Sequence, residues 1–146
     1  MMEVQSVILV TEQDEITGTM EKMEAHKKGV LHRAFSIFIF NSKGEMLLQQ
    51  RSAAKYHNGE LWTNACCSHP GEGETLEHAA HRKLKQEFGF DCHLNEKFSF
   101  IYKAEGENGL SEHEFDHVLI GMYDGKIHTN PQEIEEWKYV NIEELK

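Results

Sequence analysis

Hydrophobic and polar positions follow more than one period along this chain. Apolar side chains recur at every fourth position from Leu76 to Phe88, which is the period of one face of an α-helix. A glycine, Gly89, follows the last of them, and glycine commonly ends a helix. The pattern therefore predicts a helix that begins after Thr75 and ends at Gly89.

Runs rich in β-branched and aromatic residues on both sides of this helix predict strands. Residues 34–40 form such a run, residues 46–50 are interpreted as a second strand, and residues 41–44 between them have the composition of a hairpin turn. The other predicted strands cover residues 98–102, 115–123 and 137–140. The mixture of helix and strand signals indicates an α/β (α+β) fold.

The length of the chain indicates a single domain. A domain of 146 residues can bury roughly two thirds of the surface that its unfolded chain exposes. No repeat, low-complexity tract or linker rich in proline, glycine and serine divides the sequence. We therefore expect residues 1–146 to form one domain.

The net charge narrows the kind of partner. A formal charge of −10 argues against a nucleic-acid surface, because phosphate binding of that kind draws on a broad excess of lysine and arginine. An acidic protein can still bind a small anion where a divalent metal and a few bases reverse the local field. With 10 histidines in the chain, such a metal is plausible. The charge leaves the oligomeric state open.

Neither membrane insertion nor disulfide bonding is expected. No apolar run approaches the roughly 20 residues that span a bilayer, and the first residues carry acids where a secretory signal would carry lysines. The 3 cysteines cannot all pair within one chain, and Cys66 and Cys67 are adjacent. Free thiols fit a reducing compartment, so we expect a cytoplasmic protein.

Charged and small residues in and around the predicted helix show a recognisable spacing. The spacing E-x7-R-x-L-x2-E-x-G-F is formed by Glu74, Arg82, Leu84, Glu87, Gly89 and Phe90. It resembles the Nudix box, a loop and helix that hold a metal against a diphosphate. The chain has fewer carboxylates than the common box, since Ser68, Lys83 and Gln86 replace a glycine and two glutamates. Taken alone, the spacing also fits a solvated helix with salt bridges.

The segment just before this box carries a more specific motif. Residues 62–70 read WTNACCSHP, an H-x-A-F motif begins at His32, and an E-x-E motif begins at Glu112. Together they resemble the type I isopentenyl-diphosphate isomerases, and the likeness runs in the same order from residue 8 to residue 140. It implies the Nudix fold, a mixed β-sheet sandwiched by helices.

Only one of the two adjacent cysteines can face the site that His69 faces. In an extended segment successive side chains point to opposite sides, so Cys67 and His69 share one side and Cys66 lies on the other. Cys67 is the better candidate for chemistry. For Cys66 we expect a small buried hydrophobic residue.

The same alternation places two carboxylates together. Glu112 and Glu114 share one face of a strand, with His113 on the other. Two carboxylates that would otherwise repel each other usually bind metal. The resemblance supplies His26, His32 and His69 as further ligands, which together suit a divalent ion such as Mn, Mg or Zn.

The resemblance also implies how a diphosphate is held. Its implied phosphate-binding bases are Lys22, Arg51, Lys55 and Lys83. Glu87 matches the ligand of a second ion, usually Mg, and Tyr102 matches a tyrosine that hydrogen-bonds the catalytic glutamate. Five histidines are expected at the surface without a role, namely His57, His78, His81, His93 and His128. His117 is interpreted as a polar core residue.

The resemblance implies the interconversion of isopentenyl diphosphate and dimethylallyl diphosphate. A proton is added to the terminal alkene carbon and another is removed from C2. Glu114 and Cys67 act on opposite faces of the alkene, and the sequence leaves open which of them protonates first. Two other classes remain: a Nudix hydrolase of a nucleoside or prenyl diphosphate, which uses a metal-activated water, and a non-catalytic binding module. Cys67 and the E-x-E pair favour the isomerase, because a hydrolase needs no thiol.

The last residues lack a feature that the resemblance implies. Family members carry a C-terminal aromatic residue that covers the developing cation, whereas residues 141–146 begin like a capped helix and then stop. A single helical turn is not stable by itself. The sequence therefore indicates either a trimmed chain lacking a C-terminal tail or a naturally short protein. Trp62 and Phe35 are candidates for the apolar wall around the cation.

Overall fold

The computed structural model describes residues 5–51, 62–106 and 109–145. In those residues the chain forms the helices α1 (Lys22–Lys28) and α2 (Leu76–Phe88). The strands are β1 (Ser6–Val10), β2 (Ile16–Glu21), β3 (His32–Phe40), β4 (Met46–Arg51), β5 (Trp62–Asn64), β6 (Cys66–Ser68), β7 (Leu94–Glu105), β8 (Ser111–Met122) and β9 (Ile134–Val140). A short 3-10 helix, Ile142–Leu145, follows β9.

The helix α2 has the bounds predicted by the apolar residues at every fourth position. The Thr75 hydroxyl caps its start by accepting a hydrogen bond from the His78 backbone N–H at 3.1 Å. At its end Gly89 adopts a φ of 71°, and a Cβ there would lie 2.6 Å from the carbonyl oxygen of His128. Both the backbone angle and the close approach require glycine. The prediction of this helix is confirmed.

The helix α1 was not predicted. It has only 7 residues, the Glu21 carboxylate caps it by accepting from the Glu24 backbone N–H at 2.8 Å, and it ends at Gly29 with a φ of 66°. A helix this short depends on tertiary contacts more than on its own sequence. Within the described part of the chain, no helix is long and apolar enough to cross a membrane.

The pairing of strands centres on β3. This strand pairs antiparallel with β1, β4 and β6 and parallel with β8. β7 pairs with β8, and both β5 and β9 pair with β4, all in antiparallel fashion. The predicted hairpin turn at residues 41–44 is confirmed by the hydrogen bond that Gly44 N donates to Asn41 O at 3.0 Å. The result is the mixed sheet that the sequence predicts, although β7 and β8 are longer than expected.

Successive side chains of β3 face opposite sides of the sheet and separate the core from the site. Phe35 and Ile37 are at most 1% exposed and lie in the core cluster with Leu84 of α2. Ser36 lies between them in sequence and faces the other side, where its hydroxyl donates to Asp116 at 2.8 Å. The prediction that Phe35 lines the reaction site is therefore wrong, because its ring fills the core under α2.

Candidate active site and metal centre

Four side chains of ligand type converge at one end of the sheet. We call His26 of α1, His32 of β3, His69 after β6 and Glu114 of β8 the His–Glu cluster. One ligand atom of each lies within 4.8 Å of the others. The parallel pairing of β3 with β8 places His32 directly opposite Glu114. The fold thus brings together residues that lie far apart in the sequence.

Backbone carbonyls orient two of these rings. His26 Nδ1 lies 2.7 Å from the carbonyl oxygen of Lys22, and His32 Nδ1 lies 2.9 Å from that of Val30. Such contacts fix a ring so that its other nitrogen can bind a metal. Within the described residues, His32 Nε2 is buried, makes no hydrogen bond and lies 3.5 Å from Glu114 Oε2. A contact this long satisfies a buried nitrogen poorly, whereas a bound cation would satisfy it, so the cluster fits a divalent metal ion.

The charge of the His–Glu cluster also suits a divalent ion. Glu114 is buried, which by itself raises its pKa, but the ring nitrogens of His32 and His69 and the hydroxyl of Tyr102 outweigh burial and hold that pKa well below its usual range. Burial lowers the pKa of His69 against the opposing effect of Glu114. An ionised carboxylate and neutral imidazoles are the forms that bind metal.

Tyr102 of β7 stands opposite Glu114 and connects it to Glu112. Its hydroxyl lies within hydrogen-bonding distance of Glu114 Oε1 and 3.2 Å from Glu112 Oε2. Burial, together with the charge of Glu114, raises the pKa of Tyr102 well above its usual value, so the phenol keeps its proton. Glu112 lies outside the group whose ligand atoms are within 4.8 Å of one another. Its role as a ligand stays a prediction.

The two adjacent cysteines face opposite sides of β6, as the alternation predicts. Cys66 is fully buried, whereas Cys67 is exposed and pairs in register with Ser36 of β3. The Cys67 thiol lies 3.2 Å from Asn64 Oδ1 and 3.8 Å from Ser36 Oγ. The surrounding protein partly desolvates the thiol and raises its pKa, while hydrogen bonds to Ser36 and Asn64 oppose that effect. The thiol therefore lies on the same side of the sheet as Asp116.

Sequence reasoning missed the residues that surround the Cys67 thiol. Asp116 follows Glu114 on the same face of β8, and burial raises its pKa to about 6. Its carboxylate accepts the hydrogen bond from Ser36, a residue 80 positions away in the chain. The alternation that grouped Glu112 with Glu114 could have included Asp116. Asn64 belongs to the motif at residues 62–70, whereas no sequence signal links Ser36 to this site.

The other cysteine of the adjacent pair, Cys66, contacts a second polar group, on the side of the sheet that α2 covers. Its thiol is 3.5 Å from Glu87 Oε1, and the Lys83 ammonium is 3.0 Å from Glu87 Oε2. The side-chain amide of Gln49 reaches Glu87 Oε1 at 3.1 Å. Burial, and next the charge of Glu87, raise the pKa of Cys66 well above its usual value. The expected burial of Cys66 is confirmed. Its contact with the Glu87 carboxylate was not expected.

The structure describes two of the three remaining bases of the predicted diphosphate site. Lys22 is the first residue of α1, and its charge lowers the pKa of the nearby His69, although burial of that ring has the larger effect. Arg51 is half-buried at the end of β4 and pairs in register with Ile134. Lys55 lies outside the described residues. The binding of phosphate by these residues stays a prediction.

Among the described residues, five histidines that carry earlier interpretations are not part of the His–Glu cluster, namely His78, His81, His93, His117 and His128. His117 is 8% exposed, with one ring nitrogen 3.0 Å from Asp14 and the other 3.0 Å from Glu96. This fits its interpretation as a buried polar residue. His93 and His128 are exposed, as expected, while His57 lies outside the described residues. His78 and His81 contact acidic neighbours on or near α2.

The first half of the box is a structural clamp. Arg82 donates two hydrogen bonds to the Glu74 carboxylate, from Nε at 2.7 Å and from Nη2 at 2.9 Å. Glu74 also accepts from the backbone N–H of Gly71 at 2.9 Å. These hydrogen bonds, that from Arg82 first, lower the pKa of Glu74 from about 4.5 to about 2. The clamp fixes the loop between His69 and α2.

Glu74→Gln is expected to lower the free energy of unfolding at pH 7 by about 1 kcal/mol, because Arg82 is partly open to solvent and screening limits the pair. The pKa of Glu74 is depressed, so its contribution is present above its ordinary value of about 4.5 and is lost as pH falls towards about 2. Melting temperatures should therefore differ at pH 7 and converge only as the pH approaches about 2. Glu72→Gln, in the exposed part of the same loop, is the control. An equal effect in both variants would contradict the clamp.

Comparison with known proteins first defines the class. Residues 30–146 match the family model of the NUDIX domain. A crystal structure from Deinococcus radiodurans superposes with a TM-score of 0.78 at 22% identity, covering 97% of this chain and 86% of that one. The MutT protein from Methanosarcina mazei Go1 superposes with a TM-score of 0.66 at 20% identity, covering 79% and 80%. The predicted Nudix fold is therefore confirmed.

Curated relatives then define the family within that class. Isopentenyl-diphosphate Delta-isomerase 2 of Aromatoleum aromaticum is 51% identical over 139 residues, which is 95% of this chain and 74% of that protein. The protein of the same name from Photorhabdus laumondii is 51% identical over 140 residues, covering 96% and 79%. The chain belongs to the isopentenyl-diphosphate Delta-isomerase family of NUDIX-domain proteins.

Proposed function

We propose that this chain interconverts isopentenyl diphosphate and dimethylallyl diphosphate. The observation that carries the proposal is the Cys67 thiol on the same face of the sheet as Glu114, whose carboxylate belongs to the His–Glu cluster. A hydrolase that activates water with metal needs no thiol at this place. The relatives that are about half identical to this chain bear the name of the isomerase.

The reaction moves a double bond by exchange of two protons. One proton is added to the terminal alkene carbon, positive charge develops at C3, and a proton leaves C2 so that its electron pair forms the new double bond. Glu114 with the hydroxyl of Tyr102, and the thiol of Cys67, are the two proton-exchanging groups. No bond to phosphorus breaks, so the diphosphate leaves unchanged.

Neighbouring side chains support the assignment of these two proton-exchanging groups. The Cys67 thiol has oxygen acceptors in Asn64 and Ser36, which direct its hydrogen. Tyr102 keeps its proton and hydrogen-bonds Glu114, so this carboxylate has a defined donor beside it. Groups held in this way exchange protons without first reorganising solvent.

The His–Glu cluster is proposed to hold one divalent ion, with Mn, Mg and Zn as candidates. When bound there, the ion would act as a Lewis acid and make a proton held at the Glu114 carboxylate easier to give up. His26, His32, His69 and Glu114 would hold it. Glu112 is proposed as a further ligand, and it is supported by the Tyr102 hydroxyl that it shares with Glu114.

A second group is proposed to hold the diphosphate. Glu87 would bind the Mg ion that accompanies the diphosphate, and the adjacent Lys83 ammonium would contact phosphate oxygens. Lys22, Arg51 and Lys55 complete the proposed set of bases. They rest on the family likeness, whereas Lys83 has a contact with Glu87 to support it.

We place this reaction in the cytoplasm and propose no nucleic-acid partner. The free cysteines of the described residues include the exposed Cys67, which needs a reducing compartment to remain a thiol. The net charge of −10 disfavours nucleic acid. The partner is a small prenyl diphosphate.

Product analysis tests the proposal directly. With isopentenyl diphosphate, Mg and Mn, the protein should form dimethylallyl diphosphate with little release of phosphate, because the reaction moves only protons. Both products can be quantified in one sample by chromatography and a phosphate assay. Release of phosphate or of a monophosphate without isomer would favour the hydrolase instead, and neither product would favour a binding module.

A further inference from the structure

Glu87 is a buried carboxylate held by three side chains from different elements. It lies in the last turn of α2 and is 7% exposed. Gln49 of β4 is 5% exposed and Cys66 of β6 is fully buried. A charged group in such a place needs several donors, because burial without them is costly. The arrangement of those donors shows which of its two oxygens keeps a free acceptor position.

The two oxygens of Glu87 have different partners. Oε1 accepts from the Gln49 amide at 3.1 Å and from the Cys66 thiol at 3.5 Å, and both donors are neutral. Oε2 faces the Lys83 ammonium at 3.0 Å. Each carboxylate oxygen offers about two acceptor positions. Neutral donors thus fill Oε1, while Oε2 keeps an acceptor position on the side of Lys83.

Gln49 also ties this carboxylate to the strand that carries the thiol. The same side-chain nitrogen that reaches Glu87 donates to the carbonyl oxygen of Ala65. Ala65 is fully buried and directly precedes Cys66 and Cys67. One amide group therefore joins α2, β4 and the start of β6.

We propose that Gln49 and Cys66 are positioning residues for Glu87, which saturate its Oε1 and leave Oε2 directed towards a divalent ion bound with a diphosphate. This inference rests on the proposed function for the identity of the diphosphate. It goes beyond that function because it assigns roles to two residues that the metal and phosphate sites do not include. Partners that orient a ligand in this way typically alter metal affinity about 10- to 100-fold when they are removed.

The test measures binding rather than turnover. Inorganic pyrophosphate and Mn²⁺ serve as probes, and the Mn²⁺ retained by the protein is measured by equilibrium dialysis with and without pyrophosphate, because pyrophosphate also binds Mn²⁺ in solution. The ion retained only when pyrophosphate is present reports the second site separately from the His–Glu cluster. Gln49→Met removes the donor at similar volume, and Cys66→Val removes the thiol.

Both variants should weaken the pyrophosphate-dependent retention of Mn²⁺ by about tenfold or more. Cys66→Ser keeps a donor and should retain affinity within about threefold of the wild type. Gln50→Met makes the same chemical change at the next position of β4, which faces the other side, and should match the wild type. Melting temperatures identify any variant that loses binding only because it unfolds, and the other variant then decides.

Wild-type affinity in both Gln49→Met and Cys66→Val would overturn the inference, as would the absence of pyrophosphate-dependent Mn²⁺ in the wild type. Loss in Cys66→Ser equal to that in Cys66→Val would also overturn the role of the donor. A wild type that binds Mn²⁺ with pyrophosphate but forms no dimethylallyl diphosphate would refute the proposed function and leave the positioning role standing.

Discussion

Cys67→Ser is expected to lower kcat for isomerisation about 10²- to 10⁴-fold, the range over which a positioned acid–base group contributes. A thiol is a far stronger acid than a hydroxyl, so serine at this position exchanges a proton with carbon much less readily. Asn64 and Ser36 remain in place to contact the new hydroxyl. The measurement is the initial rate of dimethylallyl diphosphate formation at saturating substrate.

Cys66→Ser is the matched control for this prediction. The neighbouring residue points to the other side of β6 and contacts Glu87 instead of the proton-exchanging groups. Because serine also keeps a donor to Glu87, this variant should keep most of the activity, and both variants should melt at temperatures near that of the wild type. Equal losses of activity in the two variants would show that the thiol of Cys67 has no special role.

Removal of the metal is expected to abolish isomerisation and to destabilise the fold. The His–Glu cluster exists only in the folded chain, so a bound ion adds stability, about 2.7 kcal/mol when it is present at 100 times its Kd. For a domain of this size that corresponds to a rise in Tm of roughly 5–10 °C. Chelation should reverse it, and readdition of Mn²⁺ or Mg²⁺ should restore both Tm and activity.

A histidine variant separates the cluster from other metal effects. His32→Gln should remove the chelator-sensitive part of the Tm, because His32 Nε2 is buried and faces the cluster. His128→Gln changes an exposed histidine and should leave that response intact. Active protein that contains no divalent metal by elemental analysis would refute the metal centre.

The parts of the fold that sequence reasoning predicted are those with local causes. The helix α2 has its apolar stripe, its Thr75 cap and its Gly89 end within one continuous segment. The 41–44 turn is likewise closed by a short-range hydrogen bond. Strand alternation was enough to separate Cys66 from Cys67, because a strand turns every second side chain to the same face.

The missed elements depend on partners that are distant in sequence. The helix α1 is too short to show a period, although it carries His26, so this ligand came only from the family likeness. Ser36 acquires its role from Asp116, which lies 80 residues away. Gln49 joins Glu87 across 38 residues, and no spacing rule connects them.

One wrong prediction shows the limit of reading aromatic residues as walls of a site. Phe35 lies in the same motif as His32, and the two were assigned to one site. Along β3, however, residues 32 and 35 point to opposite faces, and Phe35 joins the core against α2. Applying the strand period to the whole motif would have corrected this assignment.

Incubation with isopentenyl diphosphate in deuterium oxide tests the central claim most directly. The proton added to the terminal alkene carbon comes from a group that exchanges with solvent, so the protein with Mg²⁺ and Mn²⁺ should form dimethylallyl diphosphate carrying deuterium in a methyl group. Nuclear magnetic resonance locates that deuterium, and the phosphorus signals should show an intact diphosphate. Release of phosphate without carbon-bound deuterium would contradict the isomerase and identify a hydrolase.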